Sequence, residues 1–149
     1  PYKVGMIEEN IRRCETKNMS AVCMDARIRD EASVQKADIV IADLPCSGLG
    51  VIQKKKDIKY KMTPEKQKDL AVLQREILSV VHAYTKPGGT LIYSTCTVNR
   101  EENEENVAWF LREHPEFGLV LMEQILPQAG RCDGFFLAKL KRKNEQKAE

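Results

Sequence analysis

The sequence predicts an α/β fold, on three observations. Apolar residues at helical spacing alternate along the chain with short β-branched runs. One of those runs, Asp38 to Asp43 (DIVIAD), is almost continuously apolar between two aspartates, the pattern of a strand buried on both faces of a parallel sheet. The last two runs, Phe117 to Met122 and Phe135 to Leu140, lie close enough in sequence to be antiparallel neighbours.

Taken in order, Val4, Ile7, Ile11 and Cys14 recur at spacings of three and four and predict an amphipathic helix from Tyr2 to about Lys17. Ser20 to Met24 is short and apolar and is followed by Asp25, which predicts a strand that stops at an acid. The Asp38 to Asp43 strand comes next. Leu44 to Met62 holds Pro45, Gly48, Gly50 and a lysine cluster and reads as a long loop, of the size that in compact domains usually serves function. Thr63-Pro64 supplies an N-cap and a first-turn proline, and Leu70, Leu73, Ile77, Val81 and Tyr84 mark the buried face of a helix to about Thr85. Lys86-Pro87-Gly88-Gly89 ends that helix, and Thr90 to Cys96 is a strand. Glu101 to Glu113 is a helix with acids in its first turn, where the dipole favours them, and with Val107, Phe110 and Leu111 inward. Pro115 closes it. The domain reads as residues 1–140, followed by a charged, frayed tail over 141–149.

With 149 residues, 42% hydrophobic and 31% charged, the chain is long enough for one domain with a core and too apolar for disorder. No apolar run approaches the ~20 residues of a membrane span, and Pro1-Tyr2-Lys3 does not begin a signal peptide. The expectation is a soluble, cytoplasmic protein with no membrane partner. It opens inside a helical pattern without an initiator Met, which implies a longer parent. The net charge of +2 does not by itself imply nucleic acid. Its distribution is uneven, however, with seven lysines between Gln53 and Lys68 and four acids between Glu101 and Glu105. Lys54, Lys55, Lys56 and Lys59 are candidates for phosphate contacts, against the alternative of a solvated lysine face. Five cysteines without a C-x-x-C pair support neither a disulfide framework nor a zinc site, so no metal and a reducing compartment are expected. Cys14 and Cys23 lie on apolar faces and are expected in the core; Cys132 is left unassigned.

In open α/β sheets, ligands sit at the carboxyl ends of strands. Three expected strand ends carry reactive groups: Asp25, then Asp43-Leu44-Pro45-Cys46-Ser47-Gly48, then Ser94-Thr95-Cys96. Asp25 suits hydrogen bonding to a ribose or an adenine amino group, or else caps a turn. At Asp43 a carboxylate, a proline-fixed turn and a thiol fall within four residues, and Pro45 turns the loop away from the sheet. Cys96 ends what should be the neighbouring strand. Either thiol alone reads equally as a small apolar side chain; the two together point to chemistry.

These residues, with Lys86-Pro87-Gly88-Gly89, Glu101-Glu102-Asn103 and Asp133-Gly134-Phe135-Phe136, resemble the RNA cytosine-5 methyltransferases of the Nol1/Nop2/Sun family over essentially the whole chain. The paired Pro-Cys and Thr-Cys motifs, about fifty residues apart, are highly specific to that family. The resemblance implies the Rossmann-like fold of class I S-adenosylmethionine-dependent methyltransferases, with sheet order 3-2-1-4-5-7-6. It implies methyl transfer from S-adenosylmethionine to C5 of a cytosine in RNA, with 16S ribosomal RNA as the expected partner. Cytosine C5 is a poor nucleophile, so a thiolate first adds at C6 and creates an enamine whose C5 can attack the methyl donor. On the resemblance, Cys96 forms this adduct and Cys46 assists release of the product. Asp25 would lie against the adenosine part of the cofactor and Asp43 beside its methionine part and the target base.

Family members also carry, upstream, a first strand with a glycine-rich cofactor loop and a second strand ending in an acid, neither of which is present here. The expectation is an N-terminally truncated fold whose two missing strands would lie between those at Ser20 to Met24 and Asp38 to Asp43. Such a chain would be inactive alone, and the alternative function is a non-catalytic RNA-binding fragment. A cysteine hydrolase pairing Cys96 or Cys46 with His82 or His114 is disfavoured, because His82 lies in a helix and His114 near a helix end.

Overall fold

The computed structural model describes residues 2–144. Its four strands form one mixed sheet in the order β1-β2-β4-β3. Strand β1 (Ala37–Asp43) runs parallel to β2 (Thr85–Thr95), and β4 (Phe135–Arg142) is antiparallel both to β2 and to β3 (Phe117–Ile125). This is the order 4-5-7-6 within the sheet that the sequence resemblance implies. The helices are α1 (Tyr2–Arg13), the single-turn α2 (Ile58–Lys61), α3 (Pro64–Val81) and α4 (Glu104–Glu113).

A parallel pair needs a crossover, and α3 provides it between β1 and β2. Its start is fixed as the sequence indicates: Pro64 occupies the first turn and the Thr63 hydroxyl accepts the Lys66 backbone N–H at 3.3 Å. Its buried face comprises Ala71, Gln74, Ile77 and Leu78. The core joins Leu78 to Leu91 and Tyr93 of β2, Val107 and Phe110 of α4, Phe117 of β3, and Phe136, Ala138 and Leu140 of β4. Each large apolar side chain buried there contributes roughly 1.5–3 kcal/mol relative to exposure. Phe110 and Phe117 add an edge-to-face contact with centroids 5.3 Å apart.

The N-terminal third departs from the sequence reading. Ser20 to Met24 is irregular chain and joins no ladder, so the expected first strand is absent from the described sheet. No residue of α1 is buried, and Cys14 and Cys23 are exposed, not core. The sequence pattern predicts cover on both faces of β1, yet Ile39 and Ile41 are 61% and 68% exposed. The cause is the same in each case: apolar periodicity defines a face that can be buried, but burial also requires a neighbour. Strand β1 is one of the two edges of the described sheet, and one of its faces has no neighbour among the described residues.

Smaller shifts concern boundaries. Strand β2 starts at Thr85, and its register to β1 jumps from Ala37↔Thr85 to Ile39↔Thr90, so Lys86-Pro87-Gly88-Gly89 bulges within the strand. Helix α4 starts at Glu104, leaving Glu101 to Asn103 as a turn before it. Strand β4 continues through Lys141 and Arg142, and the Lys143 N–H donates to the Glu116 carbonyl at 2.8 Å. The rest of the expected tail, 145–149, lies outside the described residues. Among those residues, no helix is long and apolar enough to cross a membrane.

Candidate active site

The two parallel strands deliver the two cysteines to one rim. Past the end of β1, the Leu44 N–H still donates to the Ser94 carbonyl at 3.2 Å, extending the ladder by one residue. The Ser94 hydroxyl donates to Asp43 Oδ1 at 3.0 Å, tying the first strand-end acid to the neighbouring strand. The chain then turns through Pro45 and through Gly48, which has φ of +71°, into a short 3-10 turn at Leu49–Val51. That turn points the Gly50 N–H at the Cys96 carbonyl, 3.0 Å away, while the Gly50 carbonyl accepts the Gly134 N–H at 2.7 Å. A Cβ on Gly50 would meet Gly134 O at 2.4 Å and Cys96 O at 2.8 Å, so only glycine fits here. This clamp gives the Asp133-Gly134 motif a structural role. With it in place, Cys46 Sγ lies 3.3 Å from Cys96 Sγ, both half-buried.

Burial, reinforced by the Cys96 sulfur, pushes the Cys46 thiol up to about 12. Cys46 therefore keeps its proton at neutral pH and can donate its S–H toward Cys96.

Beneath the thiols lies a layer of fully buried polar side chains: Gln74, Thr95, Thr97, Glu102, Asn103 and Asn106. Glu102 Oε2 accepts the Ser47 N–H at 2.9 Å and Gln74 Nε2 at 3.0 Å, and Oε1 accepts Asn99 Nδ2 at 3.2 Å. Gln74 Nε2 also donates to the Pro45 carbonyl at 2.8 Å. The Ser47 and Thr97 hydroxyls lie 2.7 Å apart, the Thr95 hydroxyl donates to Asn103 Oδ1 at 2.6 Å, and Asn106 Nδ2 donates to Gln74 Oε1 at 2.8 Å. The Tyr93 hydroxyl donates to the Glu102 carbonyl, and burial pushes its phenol upward. The sequence reading treats these acids as first-turn, dipole-favoured residues and misses the layer. A signal is present: on the helix that the sequence predicts over Glu101 to Glu113, Glu102, Asn103 and Asn106 fall at helical spacing with the inward Val107 and Phe110.

The remaining candidates stand apart. Asp25 is exposed and accepts from the Arg27 N–H at 3.0 Å and from Nη2 at 2.8 Å; these bonds hold its carboxyl down at about 2. It serves as the turn cap that the sequence offered as its alternative role. Lys54 pairs with Asp133 at 2.6 Å, Lys59 lies over the Tyr60 ring at 4.7 Å, and Lys54, Lys55, Lys56 and Lys59 are all exposed. Cys132 is exposed as well. His82 and His114 stack at 3.9 Å between ring centroids, with Glu116 Oε1 3.8 and 3.5 Å from their Nδ1 atoms. Burial, then His114, lowers His82 to about 4. His82 comes just before β2 and Cys96 just after it, so a hydrolytic Cys-His pair has no geometric basis.

Residues 2–141 match the family model described as 16S rRNA methyltransferase RsmB/F. The chain is 35% identical over 157 residues to ribosomal RNA small subunit methyltransferase F of Cronobacter sakazakii, with 94% of this chain and 33% of the relative covered. It is 34% identical, with the same coverage, to the corresponding protein of Klebsiella pneumoniae. The chain thus spans about a third of the length of the curated relatives it matches. The sequence motifs suggest methyltransferase B within this family; the two relatives are methyltransferase F, and the family description spans both. Among solved structures, PH0851 superposes with a TM-score of 0.87 at 33% identity, covering 91% of this chain and 34% of that one. NSun6 from Pyrococcus horikoshii with SFG gives 0.75 at 29%, covering 93% and 38%. The fold shared with these neighbours is the Rossmann-like one of class I S-adenosylmethionine-dependent methyltransferases.

Proposed function

The chain belongs to the 16S rRNA methyltransferase RsmB/F family, and from that premise we propose that it methylates C5 of a cytosine in RNA, 16S ribosomal RNA first, through a covalent adduct on Cys96. The observation that carries this reading is the 3.3 Å approach of Cys46 Sγ to Cys96 Sγ at one rim of the sheet. Two thiols are what the chemistry needs. The Cys96 sulfur adds its electron pair to C6 of the ring, and the displaced π electrons make C5 nucleophilic. S-adenosylmethionine, when bound, supplies an electrophilic methyl group. After transfer, a base takes the C5 proton, and the electrons of that C–H bond restore the C5–C6 double bond and expel the Cys96 sulfur. Cys46, which keeps its proton, donates its S–H to that departing sulfur and so assists release.

The chain's acids fit the cofactor unequally. Asp43 stands at the rim with no ion-pair partner among the described residues, which suits the ammonium of an amino-acid moiety. Asp25 is already taken by Arg27 and would have to exchange that guanidinium for the adenosine hydroxyls or amino group. The exposed Lys54, Lys55, Lys56 and Lys59 follow the Pro-Cys loop and are placed to meet RNA phosphates.

Labelled methyl transfer to cytosine-containing 16S ribosomal RNA, with uracil-substituted RNA as control, tests the proposal. Cytosine-dependent transfer supports it; RNA binding without transfer by the full-length protein would favour the RNA-binding reading. Replacing Lys54, Lys55 and Lys56 together by Gln should flatten the slope of log affinity against log salt by about 0.7–0.9 for each phosphate the lysines no longer neutralise. An unchanged slope would return these lysines to a solvated face.

A further inference from the structure

Burying a carboxylate is unfavourable unless a cation or several donors take up its lone pairs. Glu102 is 0% exposed, and among the described residues no Lys, Arg or His forms an ion pair with it. Its three donors are all neutral, and each leads to a cysteine loop. Ser47 follows Cys46 directly. Gln74 holds both Glu102 and the carbonyl of Pro45, which precedes Cys46. Asn99 belongs to the segment after Cys96, and its own N–H donates to Thr97 Oγ1 at 3.2 Å, the hydroxyl that meets Ser47.

We infer that Glu102 is a positioning residue that sets the separation of Cys46 from Cys96, acting mainly on Cys46. The two loops depend on it unequally. Cys96 directly follows β2, which is hydrogen-bonded on both sides, to β1 and to β4. The Cys46 loop leaves the edge strand β1 after the Leu44 to Ser94 bond and rejoins the Cys96 segment only at Ser47–Thr97 and Gly50; between these ties Glu102 brackets Cys46 itself on both sides, at Ser47 directly and at Pro45 through Gln74. Without the carboxylate, Cys46 should drift while Cys96 stays. Adduct formation would then persist and release would slow. This consequence for turnover rests on the catalytic reading of the two thiols; the geometric claim does not.

The test separates the two. A trivalent phenylarsenical bridges two thiols only when they lie close together, and mass spectrometry assigns the bridged pair irrespective of activity. In the full-length protein, Glu102→Ala should slow bridging of Cys46 to Cys96 by at least about tenfold, equivalent to about 1.4 kcal/mol. Alkylation of Cys96 alone should be unchanged. With RNA and cofactor present, the same variant should accumulate covalent adduct, kcat falling and KM for RNA holding. Glu102→Gln keeps one acceptor for Ser47 and Gln74 and, with Asn99 turned, should restore bridging to near the parent rate. Undiminished bridging in Glu102→Ala, or equal loss in both variants, would overturn the inference. Slowed bridging with no adduct in any variant would leave the positioning role standing and sink the catalytic one.

Discussion

The two parts of this chain that the sequence describes in similar terms behave differently. In the part built from α3, α4, β2 and β4, joined by Phe117 of β3, apolar faces meet each other and enclose a hydrogen-bonded polar layer under the cysteine loops, although Leu119 to Met122 of the edge strand β3 stay 41–55% exposed. In the N-terminal third, helix α1 and Ser20 to Met24 also carry patterned apolar residues, yet residues 2–36 bury none fully. Met19, Val22, Met24 and Ile28 are all more than half exposed. The difference teaches that amphipathic patterning states what a segment can bury, whereas packing decides what it does bury. It also divides the candidate site. The thiol side is held by the interior, while Asp25, offered for the cofactor side, sits on the loosely packed part and is occupied by Arg27.

Substitutions on either side of this divide should differ in scale. The largest effect is expected at Gly50, where a Cβ would lie 2.4 Å from the Gly134 carbonyl oxygen and neither backbone can yield cheaply. Gly50→Ala should lower unfolding free energy by about 3 kcal/mol or more in denaturant titration, and the close thiol approach should go with it. A cost below about 0.5 kcal/mol would mean that the clamp is soft.

A pH effect of intermediate size is expected at His82, which faces His114, Glu116 and Arg142. Its folded value of about 4 lies below the ordinary 6.5, so between these values the unfolded chain binds the extra proton. This contribution to stability is complete above about pH 6.5 and is lost as pH falls toward 4. It amounts to at most roughly 3 kcal/mol. His82→Gln should flatten the dependence of unfolding free energy on pH across that window, and an unchanged curve would place the titration elsewhere. The smallest effect is expected on the open part. Ile41→Thr should change stability by about 0.5 kcal/mol or less, since Ile41 is 68% exposed. A loss of about 2 kcal/mol there would show that this face is covered in solution.

Much of the architecture was legible because local rules and tertiary context agreed. Thr63-Pro64 marked the start of α3, the apolar run at Thr90 to Cys96 marked β2, and the two final runs paired antiparallel. The thiol pair was legible as two motifs on expected neighbouring strands. What could not be read was anything set by contact between distant segments. The β1 face left open at Ile39 and Ile41 and the approach of Gly134 to Gly50 both belong to this class. Glu102 is the instructive miss: an acid near a helix start is ordinarily a surface residue near the positive dipole end, and only the folded chain reveals its three buried donors.

The central claim is that the two thiols, 3.3 Å apart, have different tasks, Cys96 attacking and Cys46 assisting release. Its most direct test runs Cys96→Ala and Cys46→Ala variants of the full-length protein with cytosine-containing 16S ribosomal RNA and cofactor on denaturing gels. The expected result is a retained protein–RNA band for Cys46→Ala, with neither band nor methylation for Cys96→Ala. A stable adduct from Cys96→Ala, or full turnover by it, would contradict the assignment.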